Sequence, residues 1–76
     1  MHLSDIKVGQ KAVVLGFEDS SPSLRQRLLA LGFVPGATLS VKRMAPLGDP
    51  MELEIAGSLI SLRRKEVSFV LVEITP

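Results

Sequence analysis

The chain has 76 residues, nine basic and eight acidic, and 46% of its residues are hydrophobic although it lacks tryptophan, tyrosine and cysteine. This length allows a single domain over residues 1–76, and the absence of cysteine excludes disulfides and thiolate metal sites. A net charge of +1 excludes a strong electrostatic field for nucleic acid or anionic lipid.

The first part of the chain predicts a strand followed by a helix. After an N-terminal segment (residues 3–10) with Ser4 as a candidate helix cap, residues 11–18 are rich in the apolar residues typical of strands. A Ser-Pro pair at positions 21–22 has the residue types of a helix N-cap and first position, so a helix is predicted over residues 23–31.

The second part of the chain predicts four more strands. Apolar and polar residues alternate with a period near two from residue 38 onward, which is the pattern of a strand with one buried face. The predicted strands are residues 38–45, 51–55, 58–62 and 67–74, with a polar break at 63–66. We therefore predict a mainly all-β fold, a small SH3-like barrel of about five strands with one short α-helix between the first two. Barrel closure would remove most exposed strand edges.

The predicted helix has two different faces. Leu24, Leu28 and Leu31 share one apolar stripe, whereas Arg25 and Leu29 lie on a different face, roughly opposite. Either a neighbouring loop covers Leu29, or Leu29 and Arg25 form a small patch for a partner protein.

The Pro-Leu-Gly-Asp-Pro loop is a second candidate for partner contacts. Leu47 is an apolar residue at its tip, and either packs on the barrel or forms a rigid knob for a partner. Arg43 and Asp49, which lie close to Leu47 in the sequence, are included among the candidate partner contacts. The predicted partner-binding residues are Arg25, Leu29, Arg43, Leu47 and Asp49.

The residue inventory argues against catalysis and cofactor binding. His2 is the one histidine and is predicted to be a solvated terminal residue, so nucleophile–base pairs lack their usual parts. None of the glycines begins a phosphate-binding loop, and each fits a turn or a helix end. We predict no enzymatic activity and no cofactor.

Metal binding is not predicted either. Glu52 and Glu54 lie on one strand face, roughly 7 Å apart given the strand rise, which is too wide for two carboxylates to grip one ion tightly. They fit a solvated acidic face, and residues 18–19 fit a position close to the helix start, where negative charge is favourable.

Nucleic-acid binding lacks the residues it usually needs. Residues 63–65 are a short basic run, best interpreted as solvated. Stacking on bases requires exposed aromatic side chains, and the three phenylalanines, Phe17, Phe33 and Phe69, occur in apolar contexts that predict core positions. Without tryptophan or tyrosine, binding of proline-rich ligands in an aromatic groove is not predicted.

Three segments together resemble one known family. Leu-Arg-Gln-Arg-Leu-Leu-Ala-Leu-Gly-Phe-Val-Pro-Gly (24–36), Val-Lys-Arg-Met-Ala-Pro-Leu-Gly-Asp-Pro (41–50) and Ser-Leu-Arg-Arg-Lys-Glu (61–66) resemble the ferrous-iron transport protein A family, FeoA, in order and spacing. The resemblance implies an SH3-like fold, a link to ferrous iron, and a role as a small cytosolic accessory of the membrane permease FeoB. The same fold unit also occurs fused to metal-dependent repressors.

Two hypotheses for the function follow. The first is a non-enzymatic accessory protein that binds and modulates the FeoB-type GTPase permease through protein contacts. The alternative is an SH3-like regulatory module that acts with a metal-dependent transcriptional repressor. The apolar runs are too short to span a bilayer and the N-terminus has no signal-peptide pattern, so we predict a cytoplasmic monomer or weak homo-oligomer, with membrane recruitment only through the partner.

Overall fold

The computed structural model describes residues 1–19 and 21–75. The chain forms a single 3-10 turn at Leu3–Asp5, called the N-terminal turn below, and then five strands and two short helices. In chain order these are β1 (Lys11–Phe17), α1 (Pro22–Ala30), β2 (Thr38–Met44), β3 (Met51–Ile55), β4 (Ser58–Leu62), α2 (Arg64–Val67) and β5 (Val70–Ile74). The predicted mainly-β class and the position of α1 between the first two strands are confirmed.

All five strands belong to one antiparallel sheet with the order β4-β3-β2-β1-β5. The pairing register shifts between Val14 and Gly16 in β1 and between Val41 and Arg43 in β2. Such bulges bend a strand and increase its twist. Gly16 therefore lies inside a strand at a bulge, and its predicted place at a turn or helix end is wrong.

The buried residues form one apolar cluster, and no polar or charged residue is buried in the described part of the chain. In β3 the alternation predicted from the sequence is confirmed, since Met51, Leu53 and Ile55 are buried. Of the phenylalanines, Phe33 is fully buried, whereas Phe17 and Phe69 are only half-buried.

Helix α1 forms where its capping residues predict. Ser21 Oγ accepts a hydrogen bond from the Leu24 N–H at 3.2 Å, and Pro22 is the first helical residue. Leu28 is fully buried and the other two leucines of the stripe are partly buried against the core. Gly32 follows the helix with a φ of 109°, and a Cβ on it would lie 2.9 Å from Ala56 Cβ. Both features require glycine at this position.

The C-terminal part differs from the prediction. Residues 64–67 form α2 and the last strand begins only at Val70, so the predicted strand over residues 67–74 starts three residues too early. Glu66 Oε1 accepts the Arg63 N–H at 3.0 Å, which satisfies a free donor at the start of α2. Val67 is buried as a helical residue, so its apolar character did not distinguish helix from strand.

The N-terminal turn also begins differently from the prediction. His2 is its N-cap in place of Ser4, and Asp5 Oδ2 accepts the His2 N–H at 3.1 Å. His2 is half-buried and forms a β-bridge with Leu71, and its imidazole contacts the Glu18 carboxylate. The His2 side chain keeps 41% of its surface exposed, so it is solvated only in part. The position of residues 18–19 close to the α1 start stays a prediction.

The two outer strands of the sheet are β4 and β5, so the hydrogen-bonded ladder does not close between them. The expectation that closure removes most strand edges is therefore wrong. The β5 edge is instead covered by the first residues, with the Val72 N–H donating to the Met1 carbonyl at 2.8 Å. No helix in residues 1–19 and 21–75 has the length and apolar character needed to cross a membrane.

Candidate partner-binding surface

Leu47 is the most exposed large apolar residue in the part of the chain that the structure describes. It lies in the turn between β2 and β3, with 96% of its surface exposed. The alternative that Leu47 packs on the barrel is therefore wrong. An exposed leucine in a turn presents apolar area that only another molecule can bury.

Leu29 and Arg25 lie on α1, and both are exposed. Leu29 keeps 37% of its surface exposed, so neighbouring residues cover it only in part. The buried stripe of the helix contains Leu28, and the helical rotation of 100° per residue places Leu29 on a different face. This face of α1 presents an arginine beside a partly exposed leucine.

Arg43 and Asp49 both interact within the chain. The Arg43 Nε lies 3.9 Å from Glu52 Oε2, and the arginine side chain is 75% exposed. An exposed ion pair of this length contributes little to stability. Asp49 Oδ1 accepts the Arg64 N–H at 3.0 Å, so the Asp49 carboxylate caps the start of α2.

An open cleft lies between α1, the β2–β3 loop and α2. It has a volume of about 600 Å³ and is lined by Arg27, Asp49, Arg63, Lys65 and Glu66; we call it the α1–α2 cleft. Arg27 Nη1 contacts Glu66 Oε2, which joins the two helices. Of the predicted partner-binding residues, only Asp49 lines this cleft.

Arg64 connects three segments behind the cleft. Its backbone N–H donates to Asp49, and its Nη2 donates to the Ser4 carbonyl at 3.1 Å. A Cβ on Gly48 would lie 3.2 Å from Arg64 Nη1, so the guanidinium packs closely on the β2–β3 loop. The loop, the N-terminal turn and α2 are therefore held together by one side chain.

Arg27 is a cleft residue that the sequence prediction missed, although the sequence contains a signal for it. Arg27 is three residues after Leu24 and four before Leu31, so it borders the buried stripe of α1 on the side away from Leu29. An arginine at the border of a buried stripe faces the next packed element. The predicted solvated run is confirmed, since residues 63–65 are all exposed, and Arg63 and Lys65 also line the open cleft.

The acidic residues do not converge on one point. Among the described residues, no group of three or more histidine, cysteine, aspartate or glutamate side chains is arranged to hold a metal ion. Glu52 is half-buried beside Arg43, and Glu54 is exposed. The described surface carries charged side chains and several exposed apolar residues, among them Leu29 and Leu47.

The fold and this surface define a small, mainly β protein of the SH3-like class that carries an open charged cleft. A family model of the FeoA domain matches residues 1–74. The chain belongs to the FeoA family, as the resemblance of its motifs predicts.

Individual relatives agree with this assignment. The chain is 38% identical over 74 residues to an Fe(2+) transport protein A/Fe(2+) transporter FeoB fusion protein of Porphyromonas gingivalis, covering 97% of this chain and 9% of the fusion protein. The chain thus spans a small part of that relative's length.

Solved structures of similar proteins show the same fold. The solution structure of the FeoA protein from Chlorobium tepidum has 43% identity and a TM-score of 0.91, covering 100% of this chain and 71% of that one. The zinc complex of Stenotrophomonas maltophilia FeoA, a prokaryotic SH3 domain protein, has 29% identity and a TM-score of 0.85, covering 96% of this chain and 89% of that one. The SH3-like fold predicted from the sequence is confirmed.

Proposed function

We propose that this chain is a non-enzymatic accessory of ferrous-iron uptake, which binds and modulates an FeoB-type permease through protein contacts on the cytoplasmic side. The observation that carries this proposal is the relative in which an FeoA segment and FeoB are parts of one polypeptide. Covalent linkage keeps two domains at a high effective concentration. Such association requires that an FeoA domain present a contact surface to the permease.

Modulation requires that the chain prefer one conformation of the permease. A bound protein shifts a conformational equilibrium only by the difference between its affinities for the two states. The chain needs no catalytic residue for this, because binding energy alone changes the population of the states. Ferrous iron and GTP are then handled by the permease.

The proposed contact surface includes the exposed leucines on α1 and in the β2–β3 turn. Leu47 and Leu29 supply apolar area for a pocket on the partner, and Arg25 supplies directional hydrogen bonds beside Leu29. Arg43 lies near the end of β2 and Asp49 lies in the β2–β3 loop, and both stay in the proposed surface as polar contacts. Apolar anchors surrounded by polar residues are typical of transient protein interfaces.

The experiment is recovery of the permease from detergent-solubilised membranes of the native organism, with the tagged chain as bait. The test variants are Arg25→Glu/Leu29→Asp and Leu47→Asp. Lys7→Glu/Val8→Asp is the matched control, because it makes the same kinds of change at a basic and an apolar residue that are also exposed. We expect the wild type and the control to recover the permease and the test variants to lose it, with all variants folded by circular dichroism.

Other outcomes change the proposal in defined ways. Recovery by every variant would keep the accessory role and remove these residues from the contact surface. Failure of the wild type to recover any permease would contradict the accessory role. The regulatory-module hypothesis would then be tested by a DNA mobility-shift assay at low salt, where electrostatic binding is strongest.

We also propose that the chain is a monomer or a weak homo-oligomer. The free edge of β4 supports weak pairing, since an unpaired strand edge can hydrogen-bond to the same edge of a second copy. Five residues of β4 provide only a short interface, so pairing is expected at high protein concentration. Sedimentation velocity over a concentration series measures it.

A further inference from the structure

The α1–α2 cleft carries more positive charge than its own carboxylates neutralise. Its lining contains three cationic side chains, Arg27, Arg63 and Lys65, and two carboxylates, Asp49 and Glu66, around an open volume of about 600 Å³. This volume falls in the range typical of ligand sites and exceeds what a single carboxylate group fills. The cleft is therefore large enough for several residues of another chain.

Both carboxylates of the cleft already have partners within the chain. Glu66 accepts the Arg63 N–H through Oε1 and contacts Arg27 through Oε2. Asp49 accepts the Arg64 N–H. In contrast, no carboxylate in residues 1–19 and 21–75 forms a salt bridge with the side chain of Arg63 or Lys65. The guanidinium of Arg63 and the ammonium of Lys65 are therefore the cationic groups of the cleft lining that form no salt bridge within the described residues.

The same contacts disfavour a phosphate group as the ligand. Phosphate sites at helix ends use free backbone N–H groups, and here the N–H groups of Arg63 and Arg64 donate to Glu66 and Asp49. Helix α2 has only four residues. The backbone N–H groups of Arg63 and Arg64 are therefore already used, whereas the Arg63 guanidinium can pair with a carboxylate through two parallel hydrogen bonds.

We propose that the α1–α2 cleft binds an acidic segment of a partner protein, whose Asp or Glu side chains pair with Arg63 and Lys65. The exposed Leu47 belongs to the loop that provides Asp49, so the segment also carries an apolar residue that packs on Leu47. Arg64 holds this loop against the N-terminal turn, which keeps the rim of the cleft preformed. Preformed sites lose less conformational entropy on binding.

This inference rests on the proposed function only in taking the partner to be a protein. The probe is a fluorescein-labelled peptide, Glu-Glu-Leu-Glu-Glu, titrated with the full chain in a fluorescence-anisotropy assay at low salt. The neutral peptide Gln-Gln-Leu-Gln-Gln and inorganic phosphate serve as competitors. The cleft variant is Arg63→Gln/Lys65→Gln, which keeps the backbone N–H groups and the Glu66 and Asp49 carboxylates that accept from them at the start of α2.

The matched control is Lys11→Gln/Lys42→Gln, which removes the same charge from exposed positions on β1 and β2. We expect saturable binding of the acidic peptide, weakened about tenfold in the cleft variant, as for the loss of two partly exposed charge pairs. The control should stay within about twofold of wild type, because its lysines lie outside the cleft. Unlabelled acidic peptide should compete, and the neutral peptide should not.

Three results would overturn the inference. Equal weakening in the cleft variant and the control would show a general charge effect, and absence of saturable binding would show that no site exists. Displacement of the peptide by an equal concentration of phosphate would assign the cleft to small anions. Peptide binding and permease recovery can fail separately: a wild-type chain that recovers the permease but shows no saturable peptide binding would contradict this inference alone.

Discussion

The two edges of the sheet differ in whether other residues of the chain cover them. The β5 edge is covered by Met1 and His2, which pair with Val72 and Leu71. The β4 edge is free of any strand in the described residues, although Ser58–Leu62 contains no charged residue that would discourage pairing. Residues 1–2 therefore stabilise the β5 edge, and the β4 edge remains available for contacts.

The N-terminal residues that cover the β5 edge are fixed both to the core and to α2. Leu3 is fully buried in the core cluster, and Ser4 accepts a hydrogen bond from the Arg64 side chain at its carbonyl. On the β4 edge, Leu59 keeps 61% of its surface exposed. If this comparison is correct, substitutions near the first edge should change the free energy of unfolding, and substitutions at the second should change association.

The largest effect is expected for Leu3→Ala at the covered edge. Removing a fully buried leucine side chain costs about 2–5 kcal/mol, because apolar contacts are lost and a cavity remains. Urea unfolding followed by circular dichroism measures the change. Leu59→Ala is the matched control at the free edge and should stay within about 0.5 kcal/mol of wild type. Similar losses in the two variants would contradict the comparison.

A smaller effect is expected for Arg64→Gln. Its guanidinium hydrogen bond to the Ser4 carbonyl joins the covered edge to α2, and a solvent-exposed bond of this kind contributes about 1 kcal/mol. The Val72 amide, which donates to Met1, should also exchange its hydrogen faster, because the N-terminus opens more often. Arg63→Gln is the control and should leave that exchange rate unchanged. Slow Val72 exchange in Arg64→Gln would show that the cover holds without this bond.

Most of the fold could be predicted because its signals are local. Strands β3 and β4 were predicted with the observed bounds, since a period of two and the glycine turn between them lie within a few residues. The α1 start was predicted from Ser21 and Pro22, whose capping role needs only the next turn of chain. The last strand was misassigned because Val67 continues the apolar run of β5, and its helical state depends on how α2 is capped.

The candidate surface was harder to predict, because its contacts join distant positions. The exposure of Leu47 agrees with one of the two sequence interpretations, since a turn between two prolines has few neighbours to cover an apolar tip. The α1–α2 cleft is formed by Arg27 and Glu66, which are 39 positions apart, and is supported by Arg64 and Ser4, which are 60 apart. No periodicity or spacing rule predicts such pairs. The sequence alone therefore shows the basic run at residues 63–65 but not the cleft that its side chains line.

The smallest effect on stability is expected for Leu59→Lys at the free edge. Leu59 is largely exposed and pairs with Glu54 across β3 and β4, so the free energy of unfolding should change by less than about 0.5 kcal/mol. Any self-association seen by sedimentation velocity should nevertheless disappear, because a lysine on an edge strand opposes pairing with a second copy. Lys42→Leu, on the interior strand β2, is the reverse control and should create no association through a strand edge. Association that persists in Leu59→Lys would place the self-contact elsewhere than the β4 edge.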